Sequence, residues 1–283
     1  MPEIAYVNGV FSAIADARVS IEDRGFQFGD GVYEVLISRG GKPFLLDRHL
    51  ARLRQSLAGI KIEFEWEKHP LEPVIREGLR RCEFTEAMVY VQITRGAASR
   101  SHLPPANLTP TVVMTFKPVP VYSAELRARG LSLMTTPDIR WANCYIKAVT
   151  LLPNVLAKAE AARQGFDDVL FVSASGEVRE SSTSNVFYFV KGRLRFPPRT
   201  HSVLHGVTQS FLIECAESIG LEPREEFVTV PSLQRADEVF LSATTFDVMP
   251  VTSVDRVPIA GGRPGPLTRQ LYETFRACAN SLP

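Results

Sequence analysis

Short apolar stretches separated by tight-turn residues fill the first third of the chain. Segments 4–7 and 10–13 flank Asn8-Gly9, a dipeptide suited to a two-residue hairpin because both positions accept positive φ. Segments 33–39 and 42–46 flank Gly40-Gly41 in the same way. The period then lengthens. Leu46, Leu50, Leu53 and Leu57 recur at helical spacing, with Gly59 near the end. A second short helix is predicted over 71–81, then strands over 88–95 and 111–117. This order predicts an α+β arrangement with a largely antiparallel sheet.

The stretch KPVPVYSA, residues 117–124, carries two prolines and is the best candidate for a linker. Beyond it the pattern predicts a strand over 131–136 and a helix from Pro153 to Gln164. Pro153 suits the first helical turn and Gly165 the C-terminal cap. Strands are expected near 169–173, 177–179 and 185–190, with turns at Ser175-Gly176 and Lys191-Gly192. Helices near 207–219 and 265–279 flank strands at 238–242 and 248–254. The expected whole is a small N-terminal α/β domain over 1–119 and a larger β-rich domain over 120–283, with a cleft where they meet.

Composition narrows the class without naming a chemistry. Of 283 residues, 45% are hydrophobic and 22% charged, an ordinary globular mixture. The net charge of +1, with Lys and Arg spread along the chain, argues against nucleic-acid or acidic-membrane partners. The opening MPEIAYVNG lacks the pattern of a secretory signal, and no apolar run approaches a membrane span. Cys82, Cys144, Cys215 and Cys278 lack metal-type spacing, so reduced thiols and a cytoplasmic setting are expected.

Several residues could carry chemistry, and each also has a plainer reading. Lys147 lies among Tyr145, Ile146, Ala148 and Val149, where burying an ammonium is costly. Periodicity alone favours an extended segment whose lysine points to solvent. A desolvated lysine with a lowered pKa, able to form a Schiff base, is the alternative. Glu180, in SGEVRESSTSNVFYF, is a turn entering a strand or a carboxylate beside a protonated ring nitrogen, with 181–185 lining a polar edge. HGVTQSFLIECA places Gly206, Val207 and Thr208 at a helix start, where backbone N–H groups and a hydroxyl suit a phosphate. Thr244 and Thr245 could add hydroxyls and Arg52 a charge, although Arg52 also reads as an exposed helix residue. The polar loop 94–105 holds Arg95, Arg100 and His102; an Arg-x-His pair offers a fork and a further donor to one carboxylate. Otherwise it is a connection between strands. Tyr33 could add a phenol, or simply pack.

Taken together and in order, these pieces resemble a known family. EDRGFQFGDGVYEV (22–35), QITRGAASRSH (92–102), DIRWANCYIK (138–147), EVRESSTSNVF (177–187), LHGVTQ (204–209) and SATT (242–245) are similar to the D-amino-acid transaminases. These belong to the class IV aminotransferases of fold type IV, which act with pyridoxal 5'-phosphate. The resemblance implies that Lys147 carries the cofactor as a Schiff base and shuttles the proton. It implies Glu180 at the pyridine nitrogen, and Arg52, Val207, Thr208 and Thr244 around the phosphate, Val207 through its backbone. Leu204 would pack against the ring. Arg140 and Asp168 would lie near the ring hydroxyl, Asp168 standing where the family has Glu. Tyr33, Arg100 and His102 would trap the substrate carboxylate, the loop bearing Arg100 and His102 coming from the neighbouring subunit of a homodimer. Ala243 departs from the family, replacing a serine often found before the phosphate threonine.

The implied reaction is ping-pong transfer of an amino group from D-amino acids to 2-oxo acids. A branched-chain L-amino-acid transaminase or an (R)-amine transaminase on the same fold is the alternative. Arg100 and His102 together favour a carboxylate-bearing D-substrate. A lyase of chorismate metabolism would share the cofactor site. A non-enzymatic carrier with a decayed site is disfavoured by the joint presence of Lys147, Glu180 and Thr208.

Overall fold

The computed structural model describes residues 3–282. The chain forms two compact units. One runs up to Pro120 and takes in Ile146–Thr150; the other holds Val121–Tyr145 and everything from Leu151.

The first unit contains β1 (Ile4–Val7), β2 (Val10–Ala13), α1 (Arg24–Phe28), β3 (Gly31–Arg39) and β4 (Lys42–Pro43). They are followed by α2 (Leu46–Gly59), α3 (Leu71–Cys82), β5 (Ala87–Thr94) and β6 (Thr111–Pro118). Its sheet is antiparallel throughout, in the order β2-β1-β6-β5-β3-β4. Asn8 (φ 44°) and Gly9 (φ 101°) make the tight turn their identities predict. Period two is clean in β5, where Ala87, Val89, Val91 and Ile93 are fully buried. The predicted strand at 42–46 is shorter, because Leu45 turns left-handed (φ 53°) and Leu46 already opens α2.

Helix α2 departs from its leucine repeat in one instructive way. Its buried face is Leu46, His49, Arg52, Leu53, Ser56 and Leu57, while Leu50 is only half-buried. Two basic residues take core-facing positions because Glu34, on β3, is buried opposite them. Helix α3 buries Leu71, Ile75, Leu79 and Cys82. Gly78 is required there, since a Cβ would stand 2.0 Å from Phe116 Cζ.

The second unit contains α4 (Ala124–Arg129), β7 (Leu131–Pro137), α5 (Leu152–Arg163), β8 (Asp168–Val172), β9 (Val178–Ser181), β10 (Asn185–Val190) and β11 (Arg193–Phe196). The rest is α6 (Val207–Ser218), β12 (Arg224–Glu225), α7 (Val230–Gln234), β13 (Glu238–Ala243), β14 (Asp247–Val254), β15 (Val257–Pro258) and α8 (Pro266–Ser281). The sheet runs β12-β11-β10-β13-β14-β7-β8-β9, with β15 on β14. Unlike the first sheet it is mixed: β7 pairs in parallel with β8 and β14, and β11 with β12. The parallel β7–β8 pair needs a crossover, which α5 supplies. Asn185–Phe189 of β10 are all buried, and Phe187 stacks on Phe240 of β13 at 5.1 Å. The supposed linker ends in helix α4, capped by Ser123 Oγ, which accepts from Leu126 N. Among the described residues, no helix is long and apolar enough to cross a membrane.

Candidate active site

In the first unit, Ile146–Thr150 lies beside the start of β3, to which one isolated bridge joins it. Tyr33 N donates to Lys147 O (2.9 Å), Val149 N to Gly31 O (3.1 Å), and Val32 bridges Ala148. Lys147 N donates to Ser56 Oγ of α2 (3.1 Å). The segment bends rather than running extended, for Ala148 N donates to Ile146 O (2.8 Å), and its lysine is half-buried, with Nζ 4.1 Å from the centre of the Tyr33 ring. Among the described residues no carboxylate makes a salt bridge with Lys147. Tyr33 in turn stacks on Tyr90 at 5.5 Å.

Arg52 is buried rather than exposed. Its Nε and Nη2 donate to the two oxygens of Glu34 at 2.6 and 2.9 Å, and His49 Nδ1 lies 2.8 Å from Glu34 Oε2. Burial alone would raise the Glu34 carboxyl, but the Arg52 charge and the bonds from Arg52 and His49 hold it far below its ordinary value. Burial also depresses His49, against the pull of Glu34. The 94–105 loop lies in the same unit. Arg100 and His102 are exposed, and both rest on Phe28, at 4.6 and 5.6 Å from its ring centre.

In the second unit Glu180 is fixed from three sides. Arg140 Nη1 donates to Oε1 at 2.5 Å; Leu204 N and Asn185 Nδ2 donate to Oε2 at 3.1 and 3.3 Å. Asp138 grips the rest of the Arg140 guanidinium through both oxygens. Burial pushes the Glu180 carboxyl above its ordinary value, with Arg140 opposing. Cys144, close by, is pushed up to about 11 by burial. Asp168 is not paired with Arg140: it accepts from Ser182 Oγ (2.6 Å) and pairs with Lys158 (2.9 Å).

Helix α6 begins at Val207, and its N-cap, Gly206, has no side chain to serve the first-turn N–H groups. Thr208 Oγ1 lies 3.3 Å from Thr244 Oγ1. Ser242 Oγ, on the same strand as Ala243, is buried and has no hydrogen-bond partner among the described residues. Thr245 instead meets Tyr122 Oη at 3.3 Å. Glycine at 206 is forced, because a Cβ would stand 2.1 Å from Asn185 Oδ1. Amides at a helix N-terminus and clustered hydroxyls form a donor set that fits a phosphate. A carboxylate fixed by an arginine and an amide fits a protonated ring nitrogen, and a half-buried lysine without a salt bridge fits covalent attachment. The residues present therefore fit pyridoxal phosphate.

Sequence reasoning missed Glu34, His49 and Asp138. His49 and Arg52 stand three apart on one helix face, a spacing that could have exposed the pair. Asp138, two residues from Arg140, offered no pattern of its own.

The model of the family described as amino-transferase class IV matches residues 31–254. The D-alanine aminotransferase of Bacillus licheniformis is 38% identical over 269 residues, covering 95% of this chain and 94% of that protein. That of Staphylococcus haemolyticus is 35% identical over 271 residues, covering 95% of each. Among solved structures, the branched-chain amino acid aminotransferase of Escherichia coli superimposes with a TM-score of 0.90 at 27% identity, covering 98% of this chain and 94% of that one. The chain belongs to the class IV aminotransferases.

Proposed function

We propose that the protein is a pyridoxal-phosphate-dependent transaminase that moves the amino group of D-amino acids to 2-oxo acids. The observation that carries this reading is 38% identity, over nearly the whole chain, to a D-alanine aminotransferase. The superposition on a branched-chain enzyme favours a second reading, an L-amino-acid transaminase on the same fold, but at only 27% identity.

Bound pyridoxal phosphate supplies the electron sink that lets the Cα–H bond of an amino acid ionise. Lys147 Nζ is the point of covalent attachment. Once released, it is the base that takes the Cα proton and the acid that returns it. The Tyr33 ring face attracts an ammonium and steadies Lys147 while it holds the proton. Glu180 keeps a ring nitrogen protonated, and Arg140, Asn185 and the Leu204 amide keep Glu180 in place. Val207 N–H, Thr208, Thr244 and Arg52 take the phosphate, Leu204 packs on the ring, and Arg140 and Asp168 serve the ring hydroxyl. Tyr33, Arg100 and His102 take the α-carboxylate, the loop coming from the neighbouring subunit of a homodimer. Residues 1–119 act as the small domain and 120–283 as the cofactor-binding domain, in a cytoplasmic enzyme.

Borohydride reduction followed by peptide mass analysis tests the attachment point. Cofactor mass is expected on the peptide containing Lys147. The same mass on Lys158 instead would overturn the assignment.

A further inference from the structure

Arg24 has no part in the roles above, yet it is 3% exposed, deeper than Arg52 at 8%. It opens α1, whose cap Asp23 accepts from Gly25 N (2.8 Å) and from Thr94 Oγ1 of β5 (2.9 Å). Its Nε donates to Asp30 Oδ2 at 2.8 Å, and Arg95 Nε donates to that same oxygen at 2.8 Å. Its two remaining nitrogens reach the polar loop: Nη1 donates to Ser101 O (2.6 Å) and Nη2 to His102 O (3.2 Å). Among the described residues, no other hydrogen bond fixes the backbone of 99–105. One aromatic ring completes the arrangement, for Phe28 carries Arg24 at 4.8 Å, Arg100 at 4.6 Å and His102 at 5.6 Å.

A guanidinium this enclosed must have its charge and its N–H groups answered. Asp30 is one carboxylate shared by two arginines; the two loop carbonyls take one N–H each from Nη1 and Nη2. The dependence is mutual: beyond the bridge of Ala97 to Asp23 the loop pairs with no strand among the described residues, and Arg24 fixes the two consecutive peptide groups that flank the His102 side chain. A binding loop already fixed in position loses less freedom when its ligand arrives.

We propose that Arg24 and Phe28 are positioning residues for the 94–105 loop, Arg24 through the carbonyls of Ser101 and His102 and Phe28 through its ring beneath Arg100 and His102. Together they set the two side chains to receive an α-carboxylate. The inference rests on the carboxylate role of Arg100 and His102 proposed above.

Arg24→Lys keeps the charge on Asp30 but gives up the fork. Phe28→Leu keeps an apolar residue but removes the ring, and serves as the second variant if Arg24→Lys does not fold. Each is compared, as cofactor-loaded enzyme, with Arg100→Ala and wild type. Both positioning variants are expected to raise KM for D-alanine about tenfold, the size of one loosened charge-assisted contact, and to keep kcat within about twofold. Half-reaction rates with an (R)-amine, which has no carboxylate, should not change. Hydrogen exchange of the Gly96 and Ala98 amides, which donate to Thr94 Oγ1 and Glu22 O, should quicken in Arg24→Lys when measured without substrate. A raised KM in Arg100→Ala beside unchanged KM in both positioning variants overturns the inference alone. An unchanged KM in Arg100→Ala overturns the carboxylate reading, and the inference with it.

Discussion

Arg140 Nη1 donates to Glu180 Oε1 at 2.5 Å, and both side chains are 6% exposed. Because Asp138 holds the other edge of the same guanidinium, Arg140 divides one positive charge between two carboxylates. Burial pushes Glu180 up and Arg140 pulls it down, so removing Arg140 moves the carboxyl further up. A raised carboxyl is protonated over a wider range of pH and cannot support a protonated ring nitrogen there. Arg140→Met should therefore shift the acidic limb of the D-alanine half-reaction to higher pH. An unmoved limb in single-turnover rates would contradict this.

Glu180→Gln removes the charge while preserving shape. Losing one placed charge interaction typically costs a few kcal/mol, so the proton-abstraction half-reaction should slow on the order of a hundredfold or more. Stopped-flow rates equal to wild type would confine Glu180 to a structural role.

Glu34 makes stability pH-dependent. Its folded pKa lies below the unfolded value of about 4.3, so its stabilisation is complete above that value and fades as pH falls beneath it. Wild-type Tm should drop as pH is lowered from 5 toward the acid range. Glu34→Gln, leaving Arg52 without its partner carboxylate, should cost roughly 3–5 kcal/mol at neutral pH and flatten that drop. Parallel Tm curves for the two proteins would refute the linkage.

Thr208→Val is nearly isosteric and removes one hydroxyl from the α6 N-terminus. Cofactor affinity should weaken about tenfold, the value of one hydrogen bond to a charged group, with the fold unchanged. Equilibrium dialysis against pyridoxal phosphate measures it; undiminished binding would remove Thr208 from the phosphate site.

Local signals were legible where the chain closes on itself within a few residues. Asn8-Gly9 makes its turn, and Pro153 and Gly165 bracket α5 as their chemistry requires. Charge pairing across long separations was not legible. The leucine repeat named Leu50 for the buried face of α2, whereas His49 and Arg52 share that face because Glu34 lies opposite. Arg24 meets Ser101 across 77 residues, which no spacing rule reaches. The ordered motifs announced the family as a whole, yet periodicity left Lys147 pointing to solvent, because its partial burial comes from pairing with β3 and from Tyr33.

The substrate decides the central claim. Purified holoenzyme mixed with D-alanine should lose its long-wavelength cofactor band within a single half-reaction and release pyruvate in matching amount. L-alanine and L-leucine should leave the band in place on the same time scale. Conversion by L-leucine in preference to D-alanine would contradict the D-specific account.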